Sequence, residues 1–385
     1  MIDPLGLKAR ILIIGAGPVG LTAALELARH GFSPSLIDKR TNITSNSRAV
    51  IVHSDVIRKL EPCGAGAGIF AEAVNIPNVD VFRDGKHAAR FRVSALGDPN
   101  FRVLGIAQDR FEMHLINSLD KYGINIRRGA ECRAISQDAN KVTVQINQDT
   151  ETFDYVIATD GVQSFVRNSL GVDFPGFDLP DLWSVADVNL DGVADPEFAK
   201  IYILPDGHVA TAVPMGKDRY RITSNKENAV KFLPAGINVV NVNSQGVFNV
   251  AVRQAERYSV GRVFLAGDAA HCHSPVDGRG MNLGIGDAVD LAKRFENNTL
   301  DGYHAHRHEE GRYVICMTEL IRSATTCKRG KMRRNTLIAL KAAHYLGFLN
   351  RFSSRLATHN EIRSNPLLRR SFRGFTNRYG PDRVR

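Results

Sequence analysis

Gly15, Gly17 and Gly20 stand in the order G-x-G-x-x-G directly after the apolar run "RILII", and an apolar stretch with one acid, Leu21 to Arg29, follows them. Residues of this kind at this spacing can hold a diphosphate. The first glycine permits a tight turn, the second lets the backbone approach the phosphates, and the third allows close helix packing, while the helix start offers unsatisfied N–H donors. Pro18 and Val19 lie inside the same turn, and Gly31 suits the end of the helix. A second apolar run, "SPSLIDKR", brings Asp38, Lys39 and Arg40 about 20 residues beyond the turn. An acid there accepts hydrogen bonds from an adenosine ribose and repels a 2′-phosphate, which favours FAD or NAD over NADP. Lys8 and Arg10 before the apolar run could open a secretion signal, but the glycine turn and charged helix that follow exclude that reading.

Two further segments carry nucleotide-contacting residue types. In "DYVIATDGVQSFVR" an apolar run ends at Asp160-Gly161, with Ser164 and Arg167 behind it. In "GRVFLAGDAAHCHSPVDGRGMNLGIGDAVDLA" another apolar run ends at Gly267-Asp268, followed by a loop from Pro275 to Gly280 and a helix beginning near Met281. With all three segments in this order, the chain resembles the single-component FAD-dependent aromatic hydroxylases, the para-hydroxybenzoate hydroxylase-like flavoprotein monooxygenases, from Ile11 to about Arg294.

The resemblance implies that Gly15, Gly17, Gly20 and Asp38 hold the ADP part of FAD, that Asp160 and Gly161 serve FAD and a transient NADH or NADPH, and that Gly267 and Asp268 meet the flavin ribose. It places Arg48 near the FAD phosphates, Gln108 against FAD, and Pro275, Gly280, Met281 and Asn282 at the flavin ring. It also implies hydroxylation of a phenolic or polycyclic aromatic molecule with O2 through a flavin C4a-hydroperoxide. No nucleophilic catalytic residue is needed, because the flavin carries the chemistry and the protein supplies geometry and shielding. The chain departs from the family pattern at Asp38, where a Glu is common, and at Asp277 and Arg279 beside the ring, so flavin reactivity is less determined than flavin binding.

The elements that must position these residues read as α/β: a Rossmann-like FAD-binding domain with an inserted, mainly antiparallel β-sheet substrate domain and a C-terminal helical segment. The FAD-binding parts fall at 1–76, 103–178 and 261–300, the substrate-domain strands at 77–102 and 179–260, and the helical region with its basic tail at 301–385. Alternating strand patterns with turn signals at Asp84-Gly85 and Asp206-Gly207 build the inserted sheet, which would roof the flavin. Candidate substrate-facing residues are Tyr202, His208 and Arg221 on that roof and His53 on the flavin side. "GAGAG" at Gly64 to Gly68 follows a helical run and reads as a helix-ending turn, so a second dinucleotide pocket is not expected.

Composition bounds the rest. The five cysteines are scattered without a Cys-x-x-Cys pair, which disfavours a disulfide framework or a zinc site and suits a reducing, cytoplasmic compartment. His271 and His273 flank Cys272 without a third ligand at metal spacing, so no metal is expected. Ile321 to Arg385 carries 16 Lys or Arg against Glu361 and Asp382, a local +14 within a total of +10. That tail reads as a solvated helical face, with Tyr303 to Thr326 and Asn335 to Ala357 as candidate helices, and no nucleic-acid partner is expected. Peripheral contact with an anionic membrane is the alternative, drawn from the mixed apolar and basic run Leu337 to Phe352. A monomer or homodimer fits equally. The rival activities are an FAD-dependent reductase or other oxidoreductase acting on a lipophilic or quinone-like substrate, a halogenase, or a non-catalytic FAD module. The halogenase lacks support, since the single Trp is Trp183 in "DLWSV".

Overall fold

The computed structural model describes residues 9–42, 49–93, 100–206, 208–275 and 278–325. Arg48, Asp277, Gly207 of the hairpin signal, and the tail beyond Thr325, including the candidate helix Asn335 to Ala357, lie outside them.

Ile11–Ile14 is wholly buried because it runs through the centre of a six-stranded sheet, in the order 259–260, 263–265, 155–158, 11–14, 35–38, 126–128. Its pairings with Tyr155–Ala158 and Ser35–Asp38 are parallel, as is that of Tyr155–Ala158 with Val263–Leu265. Strands buried on both faces need continuous apolar runs, and "ILII" and "VFL" supply them. The three nucleotide-type motifs therefore leave neighbouring strands at the same end of one sheet, where ligands of open α/β sheets bind. The helices Pro18–Arg29 and Gly280–Asn297 pack together over this sheet, and Tyr155, Phe264, Phe295 and Tyr303 interlock edge-on beneath them.

The second layer is an eight-stranded sheet in the order 271–272, 238–254, 176–191, 219–224, 209–214, 199–203, 78–83, 86–92. It is antiparallel except where Ala199–Ile203 pairs parallel with Asn78–Arg83. Asp84 and Gly85 turn its last hairpin with φ of 49° and 76°, the left-handed pair that a tight two-residue turn requires. A small sheet of Ile51–His53, Val103–Gly105 and Val74–Ile76 joins the two layers. The apolar cluster of Val50, Ile76, Ala107, Ala199, Val213 and Met215 seals that joint. "GAGAG" differs from the expected plain turn: Gly64 has φ +83°, but Gly66 already starts the helix Gly66–Glu72, where a Cβ would meet the carbonyl of Ile57 at 2.7 Å. The long helix Tyr303–Thr325 follows the third motif, and no helix among the described residues is long and apolar enough to cross a membrane.

Candidate functional site

Gly15 leaves the first strand at φ +104°, and its N–H donates to the carbonyl of Ile37 at 2.8 Å. A Cβ on Gly15 would stand 2.5 Å from the Thr159 carbonyl oxygen, and one on Gly20 would stand 1.8 Å from that of Gly15. Gly17 is different, for a Cβ there meets nothing within 4 Å. It faces open space at the start of Pro18–Arg29, a helix with no side-chain cap and no acid in its first turn. An outside anion is what such an N-terminus lacks.

Asp38 closes one side of this opening. Its carboxylate accepts the Ala16 N–H at 2.8 Å, the Arg40 N–H at 2.8 Å and the Arg40 guanidinium at 2.8 Å. Burial works to raise its pKa, but the hydrogen bonds from Arg40 and Ala16 hold it below the usual carboxylate range. Lys39 beside it is exposed. Gln108 accepts the Ala49 N–H at 3.3 Å and donates to Glu112 at 2.8 Å. Burial pushes the Glu112 carboxyl up, while Arg40 and Arg128 oppose the shift.

On the second motif, Asp160 accepts the Val166 N–H at 3.2 Å through one oxygen, and its other oxygen is buried without a hydrogen-bond partner. Burial raises its pKa. Gly161, at φ +87°, again faces open space. Ser164 accepts the Arg167 N–H at 3.0 Å and caps a short helix, and the Arg167 guanidinium donates to the carbonyls of Ala269 at 3.1 Å and Val162 at 3.0 Å. Arg167 thereby fastens the second motif to the third.

In the third motif Gly267 turns at φ +60°, leaving Asp268 exposed. The Gly267 N–H donates to the buried Asp287 carboxylate at 3.0 Å, which also meets His271 at 2.6 Å and Arg307 at 2.6 Å. Val19 fits against the third motif: a Cβ on Gly284 would strike its Cγ2 at 2.6 Å. Gly280 opens the helix Gly280–Asn297, also without a side-chain cap, and Met281 is buried beside it. Asn282 accepts the His53 N–H at 2.9 Å and donates to the carbonyls of Ile51 at 3.0 Å and Gly278 at 2.9 Å. Pro275 is exposed at the mouth of that loop.

Open space at Gly17 and Gly161, two uncapped helix starts and the lone buried oxygen of Asp160 suit an extended, anionic dinucleotide. The model of the FAD binding domain family matches residues 8–231 and 233–318. The chain belongs to that family. Rifampicin monooxygenase of Streptomyces venezuelae is 31% identical over 336 residues, 79% of this chain and 69% of that protein. The uncharacterized aromatic compound monooxygenase YhjG of Bacillus subtilis is 28% identical over 344 residues, 81% of this chain and 68% of that protein. Across eight curated relatives the chain spans 60–70% of their length. Among solved structures, p-nitrophenol 4-monooxygenase from Pseudomonas putida superposes with a TM-score of 0.81, covering 92% of this chain and 98% of that one at 22% identity. That likeness establishes the fold.

Of the two faces of the eight-stranded sheet, the one that carries Arg221 and Val213 is turned toward the FAD-binding domain. Arg221 is 1% exposed and ion-paired with Asp187, its cross-strand neighbour. Arg219 meets the same carboxylate at 3.1 Å and reaches Asp109, on the FAD-binding side, at 3.8 Å. Val213, opposite Arg221, packs against Val50 and Ala107, so this face meets the FAD-binding domain. His53 lies at the same joint, buried, with its ring 5.3 Å from that of Phe101.

The structure sets the two other candidates on this sheet apart from Arg221. Tyr202 points to the opposite face of the sheet, stacked on Phe82 at 5.3 Å among Ala210, Tyr220 and Ile222, where burial pushes its phenol up to about 12. His208 sits at the tip of the hairpin, 3.0 Å from Asp206 and at the end away from Val213 and Met215. Sequence reading passed over Asp187, Arg219 and the cluster of Asp287 with Arg307. The available signal was an acid inside an apolar run, Asp187 in "SVADVNL" and Asp287 in "NLGIGDAVDLA".

Proposed function

We propose that this flavin-dependent monooxygenase hydroxylates an electron-rich aromatic small molecule, phenolic or polycyclic, with NADH or NADPH as reductant and O2 as oxygen source. The observation that carries the reading is the convergence of three separate chain segments on one dinucleotide cradle, beneath a sheet face with a buried Arg221–Asp187 pair. The names of relatives, a rifampicin monooxygenase and a pentachlorophenol 4-monooxygenase, support the substrate class.

When bound, FAD would supply hydride acceptance from the nicotinamide and the activation of dioxygen. The chain's own part is to hold and shield. The start of Pro18–Arg29 and Gly17 would take the diphosphate, Asp38 the adenosine ribose, and Asp268 the ribityl end. Asn282 fixes the start of the helix Gly280–Asn297 to the strand Ile51–His53, which would keep that side of the site rigid. The apolar joint of Val50, Ala107, Val213 and Met215 excludes water, which any reactive oxygen-transfer chemistry needs. In this reading Arg221 orients a substrate oxygen, and its ion pair with Asp187 holds it in position. In balance, one NAD(P)H, one proton, one O2 and the aromatic C–H give NAD(P)+, water and the phenol.

The test is to reduce the purified flavoprotein anaerobically with NADH and with NADPH, then admit 18O2 with a panel of phenols and polycyclic aromatics. Incorporation of one 18O into product sustains the proposal. Reduction with no labelled product from any compound would overturn it and favour a reductase. The scattered cysteines support a cytoplasmic location as part of the same proposal. Contact of the basic tail with anionic membranes is tested by liposome cosedimentation before and after truncation at Thr326.

A further inference from the structure

The eight-stranded sheet ends in two edges of different kinds. At one, the strand Lys86–Arg92 displays Lys86, His87, Arg90 and Arg92, the charged side chains that discourage pairing with another chain. At the other, the strand Asn238–Gln254 is paired outward only at Arg253 and Gln254, with Cys272 and His271. Among the described residues, the stretch from Asn238 to Val252 has no strand on that side. It contains neither a charge nor a proline, and Val240 and Val247 are 70% and 60% exposed. Val240 and Asn243 are extra residues relative to the neighbouring strand, and such bulges turn the first part of the edge aside. From Ser244 to Asn249 every residue has its partner in step, so this part of the edge is straight, and among the described residues no strand lies outside it.

We infer that a second copy of this chain pairs antiparallel with this edge about a two-fold axis at Val247. Antiparallel pairing of one edge with itself is closed and self-complementary. This register sets Val247 opposite Val247, Gly246 opposite Phe248 and Gln245 opposite Asn249. Apolar meets apolar, small meets large, and amide meets amide. In a chain of net charge +10 the stretch is neutral, so two copies meet here without facing like charges, and an acidic or basic partner would find no complement. One short strand edge buries less than a permanent dimer does, so the pairing is a reversible monomer–dimer exchange. It is independent of the hydroxylation chemistry.

Sedimentation velocity of the full chain with FAD, over a concentration series, should show this exchange. Val247→Lys sets two ammonium groups at the axis and should weaken the dimer about tenfold or more, with far-UV circular dichroism and flavin content unchanged. Val247→Cys should form an intermolecular disulfide under mild oxidation, because directly opposed residues lie about 4.5–5.5 Å apart between Cα atoms, within disulfide reach. Val240→Cys, still more exposed but on the bulged part, should not. A monomer at every concentration, a dimer indifferent to Val247→Lys, or cross-linking through Val240→Cys instead would each overturn the inference.

Discussion

Asp38 and Arg221 carry different burdens, and their substitution should separate flavin binding from substrate chemistry. Asp38 is 4% exposed and its hydrogen bonds shape the turn at Ala16. Asp38→Ala should cost about 1.5–3 kcal/mol of FAD affinity, roughly ten- to a hundredfold in Kd, read by flavin fluorescence titration. Arg221→Met should leave flavin content and anaerobic reduction near wild type while lowering the fraction of NAD(P)H consumption that ends in hydroxylated product. If coupling is unchanged, Arg221 is a packing residue. The positions of both were approachable from sequence for unequal reasons. Asp38 follows a glycine turn at a spacing fixed by one strand and one helix, so local chemistry suffices. Arg221 and Tyr202 are both polar or aromatic residues on alternating strands, and only the register decides which face each takes. A one-residue difference in pairing separates the face turned toward the FAD-binding domain from the opposite one.

Among the elements, the contact between the helices Pro18–Arg29 and Gly280–Asn297 sets the shape of the cradle. A Cβ on Gly284 would stand 2.6 Å from the Val19 side chain and 3.0 Å from the Gly267 Cα, so neither helix can keep its place if one is added. Gly284→Ala should therefore destabilise the fold by about 1–3 kcal/mol and loosen FAD, measured as a lowered thermal midpoint and a raised Kd. Val19→Ala, which removes one of the two clashing groups, should recover part of both losses in the double variant. The strands and turns of this element were legible because each motif is short, continuous and bounded by an apolar run. The contact itself was not, since nothing local in "NLGIGDAVDLA" says which helix its glycines will meet. The "GAGAG" segment makes the same point, with one glycine ending a helical run and the others seating the next helix against Ile57 and His114.

At the scale of the whole molecule, the sheet end, the flavin loop and the long helix Tyr303–Thr325 are drawn together by one buried carboxylate. Asp287 takes the Gly267 N–H, His271 and Arg307, the last contributed from the long helix. Burial works to raise its pKa, yet the attraction of Arg307 and His271 holds it below the ordinary value. Asp38 is lowered as well. A carboxylate whose folded pKa lies below its unfolded one contributes stability that is present above about pH 4 and lost as pH falls through the folded value. His304 behaves in the other range: burial and then Arg257 lower its pKa, and its ring nitrogen accepts the Tyr258 N–H at 3.2 Å, a bond only the neutral ring can make. Its share is present above about pH 6.5 and lost as pH falls below that. Acidification should therefore act in two stages. A shallow loss of thermal stability begins below about pH 6.5 with flavin retained, and a steep loss with release of free flavin follows below about pH 4. His304→Gln should flatten the first stage and leave the second, because Asp287 and Asp38 still hold the cradle. Release of flavin with a midpoint near neutrality would mean that an imidazole, not this pair of carboxylates, keeps the three segments closed around the cofactor.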